Sequence, residues 1–77
     1  MRAYDEMVDF IAAGPSSRNV VMFRPSEEAR SRVAELIRRE KAGRLSPEEN
    51  SELEHYQQLE HLMRLAKARA TRYLAGE

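Results

Sequence analysis

This sequence predicts a mainly α-helical fold: a short N-terminal helix, one extended or β segment, then a helical hairpin with a long C-terminal helix, in an oligomeric protein. Three observations predict it. Apolar residues recur at helical spacing in three stretches. A serine cap stands before two of them. A single β-branched and aromatic run lies between the first two. One small domain, 1–77, holds all of these elements.

The first helix is expected over 3–13. Tyr4, Met7, Val8 and Ile11 fall at i, i+3, i+4 and i+7 on one stripe. Asp5, Glu6 and Asp9 suit the positive end of its dipole. Gly14-Pro15 stops it, and Ser16, Ser17 and Asn19 read as loop. A helix this short frays unless it docks on something.

Residues 19–24, Asn-Val-Val-Met-Phe-Arg, read as a strand or extended segment. A lone strand leaves its own backbone donors and acceptors unpaired. It therefore predicts a second copy or a partner alongside, or an extended segment lying against a helix.

The second helix, 26–42, opens at the cap Ser26 with Glu27 and Glu28 in its first turn. Ala29, Val33, Leu36 and Ile37 form its apolar stripe, and Gly43 closes it. Its other face carries Arg30, Arg32, Glu35, Arg38, Arg39 and Glu40, expected to pair locally as Glu28–Arg32 and Glu35–Arg38 or Arg39.

The long helix, 46–74, has the clearest start: Ser46 as cap, Pro47 at N1 and Glu49 at N3 make a capping box. Tyr56, Leu59, Met63, Ala66, Ala70 and Tyr73 repeat as a coiled-coil-like heptad seam, widened by Leu53, Leu62 and Leu65. The second helix is too short to cover this seam, so an outside chain is expected to complete it. Glu48, Glu49, Glu52, Glu54 and Glu60 occupy the first half, and Arg64, Lys67, Arg69 and Arg72 the second. That order complements the helix dipole and also makes a bipolar surface able to orient a partner.

Composition narrows the chemistry. An 8.9 kDa chain buries too little surface to be more than marginally stable alone, and it has no cysteine for disulfides, thiolate metal sites or nucleophilic thiols. Thirteen basic and thirteen acidic side chains cancel, so no net field selects nucleic acid or membrane as the default partner. The longest apolar run is Val20-Val21-Met22-Phe23, and residues 1–25 lack a secretory apolar region. A cytoplasmic protein without a membrane partner is expected.

Catalytic signals are few. Glu52 and His55 have the Glu-x-x-His spacing of di-iron bundles, but no other helix offers a second such pair, and a surface Glu-His pair is the plainer reading. His61 lies off the His55 face. The serines are explained by loops, caps and exposed helix positions, and no nucleophile elbow or phosphate loop is present. The expectation is a non-enzyme with no catalytic residue, no metal, no cofactor and no small-molecule substrate.

Two family likenesses bear on function. The run Val20-Val21-Met22-Phe23-Arg24-Pro25-Ser26-Glu27-Glu28 followed by two helices resembles the ribbon-helix-helix repressors, which read DNA with a paired β-ribbon. That resemblance implies Arg18, Asn19 and Arg24 as DNA contacts. It departs from the pattern in an all-apolar strand and in the polar start Pro47-Glu48-Glu49-Asn50-Ser51-Glu52. The second likeness is wider. Gly43-Arg44-Leu45-Ser46-Pro47-Glu48-Glu49 and Leu59-Glu60-His61-Leu62-Met63-Arg64-Leu65-Ala66-Lys67-Ala68-Arg69-Ala70 resemble a family of small bacterial proteins, frequent in cyanobacteria, over roughly residues 20–70. Members look like antitoxins of toxin–antitoxin pairs encoded beside HNH-type nucleases.

That likeness implies a cognate nuclease toxin as partner, neutralised by binding, with repression of the protein's own operon as an added role. Tyr56, Leu59, Leu62, Met63 and Leu65 are then the expected anchors, with Arg64, Lys67 and Arg69 steering; the alternative is that these seam residues form an intramolecular or homodimer core. The alternatives are a dimeric ribbon-helix-helix regulator and a purely structural helical homodimer.

Overall fold

The computed structural model describes residues 2–76, and among them it shows four α-helices and no strand. They are α1 (Asp5–Ala12), α2 (Ser17–Met22), α3 (Glu27–Lys41) and α4 (Pro47–Leu74). The 28 residues of α4 reach about 42 Å at the helical rise, against a longest molecular dimension of 47 Å. The other three helices lie along this spine.

Contacts give their directions. α1 runs with α4: the Ala3 amide meets Glu52, the Tyr4 ring meets His55, and Phe10 ends against Phe23. α2 and α3 return in tandem, so that Phe23 meets Lys67, then Arg32 meets Glu52, then Arg39 meets Glu49. Hence α3 and α4 form the expected hairpin. Its turn is set by Gly43 at φ 70°, with Arg44 N–H donating to the Arg39 carbonyl and Gly43 N–H to that of Glu40. This double closure needs a left-handed residue, which glycine supplies without a Cβ clash.

The start of α4 is as read from sequence: Ser46 Oγ accepts from Glu49 N–H at 3.1 Å, and Glu49 returns the bond to Ser46 N–H at 3.1 Å. Ser26 caps α3 by accepting from Ala29 N–H. Position N3 of α3 is Ala29, which has no side chain to return the bond. The Ser26 N–H donates instead to Glu6 of α1, at 2.7 Å. One half of that capping box therefore comes from another helix.

The expected strand is a helix. Residues 17–22 begin at Ser16, whose Oγ accepts from Asn19 N–H at 3.2 Å and donates its hydroxyl proton to Asn19 Oδ1. β-branched residues favour strands only where a pleated surface receives them, and here the receiving surface is α4. Val20 and Phe23 pack into the core while Met22 faces out. α2 approaches α4 more closely than α3 does, where the seam carries Ala66 and Ala70. Six residues do not hold a helix in water unaided. Packing and the Lys67 ammonium on the Phe23 carbonyl, at 2.6 Å, hold this one.

Two expectations fall with the strand. The backbone of residues 19–22 is helical and calls for no second strand. The seam is also covered from within over Tyr56, Met63 and Ala70, each 5% exposed, whereas Tyr73, Leu62 and Leu65 stay more than half exposed. Ala3, Met7, Tyr56 and Met63 form one cluster, with Tyr4, Phe10, Val20, Phe23, Val33 and Leu59 packed around it. Ala29, Leu36 and Leu53 are also buried. Each large apolar side chain so buried stabilises the fold by about 1.5–3 kcal/mol.

Candidate interaction surface

The residues expected to anchor a partner divide by their place on α4. Tyr56 and Met63 are core, and Leu59 is half-buried against it. Leu62 and Leu65 stand 51% and 56% exposed on the outer side. The heptad reading joined these two groups because both recur at three- and four-residue steps. The helices of this chain divide them.

Of the basic residues, Arg64 and Arg69 are exposed. Lys67 is half-buried and committed to the Phe23 carbonyl, so it holds α2 in place. Arg18, Asn19 and Arg24 are exposed around α2, with the Asn19 side chain engaged at Ser16. Because residues 17–22 are helical, the paired ribbon that would carry them into a groove is not formed.

Beside Leu62 lies a shallow apolar groove of about 340 Å³ between α1 and α4, lined by Tyr4, Val8, His55, Gln58, Leu59 and Leu62. Val8 and Ile11, one turn apart on α1, are both more than 40% exposed. Sequence reading placed them on a single stripe with Tyr4 and Met7. The inward line of α1 is instead Ala3, Met7 and Phe10, which leaves Val8 and Ile11 on its flank. The signal was available: apolar side chains cover more of α1 than one buried stripe requires.

Glu52 is the other departure. Expected on the surface with His55, it is 7% exposed and bound from two sides. The Arg32 Nε and Nη2 donate to its two oxygens at 3.0 Å each, and the Ala3 N–H donates at 2.8 Å. The guanidinium first, and then the Ala3 amide, hold this carboxyl below the usual carboxylate range, against the opposing effect of burial. Arg32 is thus taken from the solvated face where it was expected. Arg39 bridges Glu35, at 2.6 Å, and Glu49.

His55 packs edge-on against Tyr4 at 5.3 Å, with Ser51 Oγ 3.5 Å from its Nδ1. Among the described residues no group of three or more His, Asp or Glu side chains is arranged to hold a metal ion. No helix among them is long and apolar enough to cross a membrane. Comparison with known proteins returns no matching family model, no similar curated protein and no similar solved structure. The functional reading therefore rests on the residues themselves.

Proposed function

We propose that the chain is an antitoxin-like cytoplasmic protein that binds and neutralises a cognate nuclease; the exposed groove supports a protein partner, and the likeness over residues 20–70 is what implies a nuclease. The observation that carries it is the exposed apolar groove of α1 and α4 on a chain whose core is otherwise closed. Apolar side chains gathered at one groove, with polar residues around them, favour a protein partner. Leu62 is the anchor within the groove, Leu59 its floor and Val8 its second wall, with the exposed Leu65 and Ile11 extending the apolar surface beyond it. Arg64 and Arg69 orient the encounter. Tyr56, Met63 and Lys67 shape the surface from beneath.

The test is co-expression with an HNH-type nuclease of the kind the likeness implies, taken from the same genome, in a bacterial host that the nuclease alone kills. Wild-type protein restores growth and co-elutes with the nuclease. Val8→Asp/Leu62→Asp, two exposed positions, loses both effects while keeping its helical circular dichroism. Failure of the wild-type chain to protect the host or to form a complex overturns the reading.

A further inference from the structure

The outer face of α4 carries three zones in order. Glu54 stands near its start, Leu62 and Leu65 at its middle, and Arg69 and Arg72 beyond. At 3.6 residues per turn these five side chains fall within an arc of about 80°. All five are exposed. Among the described residues neither Glu54 nor Arg69 has an ion-pair partner.

The helix dipole accounts for Arg72, in the last turn of α4, but not for Glu54 or Arg69. Its influence fades within the first and last turns, whereas Glu54 lies about two turns inside α4 and Arg69 more than a turn before its end. What the order does fit is its own image turned end for end. From the midpoint between Leu62 and Leu65, Glu54 lies about 14 Å one way, Arg69 about 8 Å and Arg72 about 13 Å the other. A partner surface of uniform charge matches one end of this face and repels the other. A second copy, antiparallel, matches both.

We propose that two copies of this chain pair antiparallel through the outer face of α4. Leu62 and Leu65 meet those of the other copy at the two-fold axis, and Glu54 of each copy faces Arg69 and Arg72 of the other. The interface is isologous, so every favourable contact occurs twice. Burial of Leu62 and Leu65 supplies the affinity, and the crossed charges fix the antiparallel sense, since parallel pairing sets Glu54 against Glu54. The proposal stands on the pattern of α4 alone; because it buries Leu62 and Leu65, the pair must open before those side chains can anchor a nuclease.

The experiment is sedimentation equilibrium of the purified chain, without any nuclease, at concentrations up to about 0.5 mM. The expected result is a monomer–dimer equilibrium between one and two chains of 8.9 kDa. Leu62→Asp gives monomer with unchanged helicity. Glu54→Arg and Arg69→Glu each weaken the dimer about tenfold, and the double variant returns it to within about threefold of wild type. A monomer throughout, a dimer indifferent to Leu62→Asp, or charge reversals that fail to compensate each overturn the proposal.

Discussion

The two ends of α4 are held by different physics. At its N-terminal end α3 is fastened by ion pairs, Arg32 to Glu52 and Arg39 to Glu49, in addition to the buried Leu36 and Leu53. Toward its C-terminal end α2 is held by apolar packing, Val20 and Phe23 against the cluster of Met7, Tyr56 and Met63, with Lys67 on the Phe23 carbonyl as the polar tie. Directional bonds at one end make the structure sensitive to charge and pH. Close contact at the other makes it sensitive to volume.

Breaking the polar end has the largest expected effect. Glu52→Gln leaves Arg32 facing a neutral amide and costs about 3 kcal/mol, at the lower end for a buried pair because Arg32 keeps some contact with water. Chemical denaturation at neutral pH measures it. The pH dependence has a definite sign. The folded-state pKa of Glu52 is depressed, so its contribution is fully present above the ordinary glutamate pKa of about 4.3 and is lost as pH falls through the lower folded value. The stability gap between wild type and Glu52→Gln should therefore be widest above about pH 5 and close in acid. A gap independent of pH would mean that the carboxylate charge is not what binds α3.

The close-packed end should answer to volume. Ala70→Leu adds atoms at a buried position and costs about 2 kcal/mol through overpacking, with no pH dependence. Thermal unfolding measured at two pH values checks both parts. The smallest effect belongs to Lys67→Met, which keeps the aliphatic stem and removes the ammonium. It costs about 1 kcal/mol, and amide exchange over residues 17–22 should quicken about fivefold while α3 is unchanged. Acceleration spread evenly over the chain would show that the two ends do not behave separately.

Legibility in the sequence followed the range of the interaction. The starts of α3 and α4 were readable because Ser26 and Ser46–Pro47–Glu49 act within one turn. The turn at Gly43 was readable for the same reason. α2 was misread because Val20-Val21-Met22-Phe23 has strand composition, and its fate depends on a surface far along the chain. Its local cue, Ser16 three residues before Asn19, resembles the cap of α4 but lacks the proline and the glutamate that make that cap conspicuous. The bonds from Arg32 to Glu52 and from Lys67 to Phe23 cross 20 and 44 residues, a distance over which spacing rules are silent. For the candidate surface, periodicity named Leu62 and Leu65 but did not separate them from Met63. That division depends on where α1 and α2 sit.

The shared cap between Glu6 and Ser26 links two folding events. α4 closes its capping box with its own Glu49, so its first turn can form before the rest of the chain arrives. The first turn of α3 has only half of this device locally, Ser26 Oγ on the Ala29 N–H, because the acceptor for the Ser26 N–H belongs to α1. α1 and the start of α3 therefore gain protection together and lose it together, as one cooperative unit. A chain shortened to begin after α1 would lose more than a helix: α3 would fray from a terminus that the deletion never touched.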